Sequence, residues 1–172
     1  MGRSVGTYII LFISLVLVQI LLCNHIMLFG VAAPIIFFYF LLRLPMGMNV
    51  KWVLVLGFLM GLIVDIFSDT PGVNTISCTI LAVARKPIYR SFIGNDEALA
   101  TAVPSIATLG ISVAFKYLLS CTLLYCVLCV SLEYFTFASP QRIFSIIGAS
   151  TILSFILLLG VDSLMGGGRR ER

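Results

Sequence analysis

Two aspartates, Asp65 and Asp162, lie within or at the end of long apolar runs, a setting in which a carboxylate is either held by a partner or put to use. A charge at mid-bilayer costs about 2.5–3.5 kcal/mol on the insertion scale, and each neighbouring Leu, Ile, Val or Phe returns roughly 0.3–0.6 kcal/mol, so the helix carrying Asp65 still inserts. Two roles stay open for Asp65. It can accept hydrogen bonds from a neighbouring helix or from the turn that follows it, or it can serve as a contact or proton-coupled site facing a bundle interior. Asp162 closes the last apolar run, and Lys116 is expected at a comparable depth in another. An ion pair between Lys116 and Asp162 would lower the cost of both charges, unless each simply reaches interfacial water. Glu133 and Arg142 bracket the last external loop, where a solvated position is expected.

Other reactive residue types form no catalytic pattern. His25 is the single histidine, set in a short connection beside Asn24, and one histidine without an HExxH motif or a carboxylate cluster excludes a zinc protease on ligand count. Walker, dinucleotide and GxSxG signatures are absent. An intramembrane enzyme would need paired acids, or an acid and a base, at one depth, whereas Asp65 and Asp162 fall at opposite ends of their spans. Cys126 and Cys129 spell a CxxC with no second ligand pair nearby. Like Cys23, Cys78 and Cys121, they sit inside apolar runs and read as small buried hydrophobes. The sequence implies neither an enzyme nor a cofactor.

The elements that carry these residues are membrane spans. Of 172 residues, 60% are hydrophobic and 10% charged, against roughly 25% charged in a soluble domain. The expected fold class is an all-α polytopic membrane protein. One domain, residues 1–165, holds six transmembrane helices over about 5–23, 26–42, 52–67, 73–84, 110–132 and 143–161, and a basic tail follows over 166–172. The first run exceeds a signal-peptide core and lacks a small-residue cleavage site, so it reads as a retained span. The fourth is the weakest, rising only some 18 Å over its 12 residues. Pro104 interrupts the stretch after residue 98 and predicts a broken or interfacial helix to about Leu109, with the next span starting at Gly110. Phe37, Phe38, Tyr39 and Phe40 are expected to face lipid or the interface.

Charge asymmetry favours the six-span topology with both termini in the cytoplasm. It places Arg3, Arg43, Lys51, Arg85, Lys86, Arg90, Arg169, Arg170 and Arg172 inside and leaves Arg142 outside. If residues 73–84 did not cross, every later loop would invert. The same basic loops favour anionic lipid as a contact and need no nucleic acid.

The least generic stretch runs from Gly57 to Thr75. Gly57 and Gly61 are spaced as GxxxG and Asp65 follows four residues later, so all three share one helix face where a second backbone can approach. Pro71 and Gly72 then make a tight reversal, which predicts that the third and fourth spans are antiparallel neighbours.

In this glycine-spaced helix, the aspartate at its outer end, the short turn with Gly72 and the small, hydroxylated residues of the fourth span, the sequence resembles the rod shape-determining protein MreD family. Gln19, Pro34, the size and the helix count add to the likeness. The resemblance implies a non-enzymatic scaffold in the bacterial inner membrane that binds MreC and helps position RodA and its penicillin-binding transpeptidase in peptidoglycan synthesis. It also implies a fold similar to the substrate-binding subunits of energy-coupling-factor transporters. Gly57, Gly61, Asp65, Pro71 and Gly72 are then expected to bind the partner or pack helices. The competing function is a vitamin-binding transporter subunit, with Asp65, Asp69 and Asn74 lining an outer polar pocket.

Overall fold

The computed structural model describes residues 5–21, 34–94, 101–134 and 140–166, with all side chains in them except those of 5, 107, 134, 140, 142 and 164–166. The expectations for Cys23, His25, the Arg142 side chain and residues 167–172 lie outside the described residues.

The described chain is helical, and no strand occurs among the described residues. In order come α1 (Val5–Leu21), the single turn α2 (Tyr39–Leu42), α3 (Val50–Ser68), α4 (Val73–Ile93), the single turn α5 (Ile106–Leu109), α6 (Ile111–Tyr134) and α7 (Pro140–Gly166). Three stretches are long and apolar enough to cross a membrane: Val50–Ser68, Ile111–Glu133 and Ile143–Ser163. Gly6–Leu21 is apolar but shorter.

α4 runs antiparallel to both α3 and α6. The end of α3 meets the start of α4, where Asp65 binds Asn74 and Thr75, and Gly57 lies against Cys78 and Ala82 further along. Asn74 meets Tyr125 while Tyr89 packs edge-on against Tyr117 at 5.4 Å, which sets α6 antiparallel to α4. On the other side of α6, Phe115 packs edge-on against Phe155 of α7. The described charged side chains therefore divide by end. Arg43, Lys51, Arg85, Lys86, Arg90, Lys116 and Asp162 gather at one end, and Asp65, Asp69 and Glu133 lie toward the other.

α4 corrects the sequence reading of its element. The helix does not stop near residue 84 but continues through Arg85, Lys86 and Pro87 for 21 residues, about 31 Å in place of 18 Å. It continues because Arg85 turns inward. Its guanidinium is 2% exposed; it donates to the carbonyl oxygens of Leu41, Leu44 (3.0 Å) and Pro45 (3.1 Å). These carbonyls lie at and just after the end of the α2 turn, where an intrahelical donor is not available to all of them.

The second expected span is also different. In its described part, residues 34–38 are not helical and only Tyr39–Leu42 make a helical turn. The stretch forms the centre of the molecule: Phe37, Phe38, Tyr39, Leu41 and Leu42 are fully buried, contrary to the expectation that these aromatics face lipid. Phe38 stacks on Tyr125 of α6 at 4.5 Å, and Phe40 meets Phe12 of α1 edge-on. Buried backbone outside a helix needs partners, and side chains supply them. Gln19 accepts from the Ile36 amide (3.0 Å) and donates to the Pro34 carbonyl (3.2 Å), and Ser154 of α7 accepts from the Ile35 amide (2.9 Å).

Candidate functional site

Two buried polar clusters stand at opposite ends of the bundle. The first is built on Asp65, 5% exposed. Its Oδ1 accepts from the Thr70 hydroxyl (2.7 Å), the Asn74 amide (2.9 Å) and the Asn74 side-chain nitrogen (3.0 Å). Its Oδ2 accepts from the Thr75 amide (2.8 Å) and hydroxyl (2.6 Å). All five partners are donors, which suits an ionised carboxylate. The N-cap residue of α4 is Gly72, which has no side chain to offer, so Asp65 caps α4 from the preceding helix. The network reaches α6 where Tyr125 donates to Asn74 Oδ1 at 2.6 Å.

The glycines make that cap possible. A Cβ on Gly61 would lie 2.5 Å from Thr75 Cα and 2.7 Å from both Asn74 O and Thr75 N. At Gly57 the contacts would be looser, 3.2 Å to Cys78 O and 3.3 Å to Ala82 Cβ. Gly61 thus lets the start of α4 close on α3 until the carboxylate reaches its amides. The turn contains two left-handed residues, Asp69 (φ 54°), which ends α3, and Gly72 (φ 82°), which starts α4. Gly72 is the positive-φ position expected at this turn, and Asp69 is a second one. Pro71 is exposed on this turn.

Gly57, Gly61, Asp65 and Gly72 are thereby brought together as a helix-packing unit. The face proposed for a partner's helix is occupied by the chain's own α4, which corrects that half of the expectation. An outer polar pocket fares no better, because Asp65 and Asn74 are bound to each other and only Asp69 is exposed.

The second cluster centres on Asp162, 2% exposed. Lys116 is not its partner; that side chain is exposed. Asp162 pairs instead with Arg43 at 3.0 Å, accepts from the Tyr39 hydroxyl and takes the Ile106 amide at 3.1 Å. Arg43 also donates to the Pro104 carbonyl at 3.2 Å. The cluster ties α2, the start of α5 and α7 together. Beside it is a cavity of about 10 Å³, lined by Arg43, Tyr117 and Asp162 among others, roughly the room of one water molecule. Arg43 Nε and the Tyr117 hydroxyl are buried without a hydrogen-bond partner among the described residues.

Arg43, Tyr39, Arg85 and Tyr125 were not singled out from sequence as site residues. For Tyr39, Arg43 and Arg85 the available signal was a polar group at the edge of an apolar run, which reads as snorkelling until the fold shows it turned inward. Ser77 and Thr122 are fully buried, and each bonds the carbonyl four residues back in its own helix. Cys78, Cys121, Cys126 and Cys129 are free and buried. No group of three His, Cys, Asp or Glu side chains is placed to hold a metal among the described residues. Compared with protein-family models, curated proteins and solved structures, the chain finds a match in none of the three.

Proposed function

We infer that this chain is a membrane scaffold of the MreD type, with six spans, both termini in the cytoplasm, and a fold similar to energy-coupling-factor substrate-binding subunits. It binds MreC and helps organise RodA and its penicillin-binding transpeptidase during peptidoglycan synthesis at the inner membrane. The observation that carries this reading is how the buried carboxylates are spent. Asp65 and Asp162 both bind groups of their own chain, and the outward faces of α1, α3 and α7 present apolar side chains such as Ile13, Ile66 and Ile152. A bundle built this way has helix surfaces to offer. The 21-residue length of α4 supports its crossing, and the gathering of basic residues at one end supports the orientation.

The transporter reading keeps Asp69 as an exposed ligand group, while Asp65 and Asn74 are bound to each other. Co-purification with the host's MreC in mild detergent tests the scaffold, with a thermal-shift screen against vitamins run on the same preparation. A stable MreC complex without any vitamin-induced stabilisation is the expected result. Micromolar stabilisation by a vitamin and no MreC in the complex would replace the scaffold by the transporter subunit.

A further inference from the structure

Between α1 and α3 the surface opens into a groove of about 450 Å³. Tyr8, Ile9 and Phe12 form one wall, Leu56, Leu59 and Ile63 the other, and Phe40, Leu44 and Met48 the floor and basic-end margin. We propose that this groove holds one acyl chain of an anionic phospholipid from the leaflet on the basic side, with its phosphate near Lys51.

Three features of the groove select this occupant. The lining is apolar throughout, so hydrocarbon fills it at no cost in unpaired polar groups. The groove is also too small and too short for a docked transmembrane helix. A cylinder 10 Å wide and one 5.4 Å turn long occupies roughly 420 Å³, so the space takes about one turn. Its α3 wall ends at Ile63, about 20 Å from the start of that helix, and does not run the length of a 30 Å hydrocarbon core.

Charge at the margin supplies the third. Lys51 is exposed three residues after the lining Met48. Trp52 heads the same helix face as Leu56, Leu59 and Ile63, by spacings of four, three and four, and is 65% exposed. A Trp at that level marks the headgroup interface, which sets the groove immediately beneath it. Lys86, Arg90 and Lys116 belong to the same end of the bundle, and no exposed acid accompanies them there among the described residues. The inference needs the chain to lie in a membrane but does not rest on its being a scaffold.

Native mass spectrometry of the delipidated full chain, titrated with phosphatidylglycerol or with phosphatidylcholine of the same acyl chains, tests it. One retained phosphatidylglycerol is expected, bound about fivefold more tightly than phosphatidylcholine for a single lysine contact. Leu59→Trp and, on the opposite wall, Ile9→Trp should each abolish retention of that lipid. Both side chains are about half exposed, so the fold tolerates the change, as an unaltered elution volume verifies. Lys51→Gln should leave a bound lipid but erase the preference, and Ile152→Trp, outside the groove, should change nothing. Equal affinity for the two lipids, or phosphatidylglycerol binding unchanged by both groove variants, overturns the proposal. A dimer lost on Leu59→Trp would also overturn it, in favour of a second copy of the chain.

Discussion

Asp65 works as a helix cap supplied by the neighbouring helix, and its worth follows from what its removal strands. Asparagine at this position keeps the size but turns one acceptor into a donor facing Thr75 or Asn74. Asp65→Asn is expected to destabilise the protein by about 1.5–3 kcal/mol, the cost of charge-assisted hydrogen bonds lost in a buried site, seen as a lower melting temperature in detergent. An unchanged melting temperature would refute the cap. Gly61 and Gly57 separate by the same logic. A methyl at Gly61 meets backbone atoms that cannot move unless the helices part, whereas at Gly57 a few tenths of an ångström suffice. Gly61→Ala should therefore cost roughly 1–3 kcal/mol and Gly57→Ala clearly less, measured by the same melts. Loss of a partner in a bulkier Gly61 variant would then report a damaged fold and not a lost interface. The glycine spacing and the aspartate were legible in sequence because a helix face is a matter of periodicity. Which backbone approached that face was legible only as far as the short turn at Pro71 and Gly72 implied.

At the scale of elements, α4 runs on past the charges at which its hydropathy ends, and residues 34–38 are not helical although they continue an apolar run. The second departure follows from Gln19 and Ser154, which hold the non-helical backbone of residues 34–36, and the first from an arginine turned inward. Hydropathy treats an arginine as the end of a span, and here Arg85 and Arg43 point inward because carbonyls and a carboxylate await them. Those partners lie 40 to 119 residues away in the chain, beyond the reach of any local pattern. The Arg43–Asp162 pair holds three elements, so breaking it leaves a buried charge alone. Asp162→Asn is expected to cost about 3–5 kcal/mol, and the apolar double variant Arg43→Met, Asp162→Leu to cost less than that single change. Lys116→Ala should leave stability unchanged. The melting temperatures of these variants check all three, and a loss of stability in Lys116→Ala would restore the pairing expected from sequence.

For the whole molecule, the division of charge between the two ends predicts an orientation in the membrane. Single cysteines placed at exposed Asp69 and Arg90, in a background lacking the native thiols, are expected to react with an impermeant maleimide from opposite sides of the cell membrane. Asp69→Cys should label in intact cells and Arg90→Cys only after permeabilisation. Labelling of both from one side would mean that α4 does not cross. Charge counting along the sequence already favours this topology, and the length of α4 adds to its support. The burial of the aromatic stretch at the centre was hidden, because lipid-facing and core aromatics have the same composition.

The scaffold itself is tested most directly by photo-crosslinking in living cells. A crosslinking residue placed at outward Ile13, Phe67 or Ile152, which are 51%, 64% and 64% exposed, should capture MreC from at least one of these faces. The same residue at Met60, which is fully buried, should capture none. The absence of an MreC adduct from every outward position, at normal protein levels, would contradict the account.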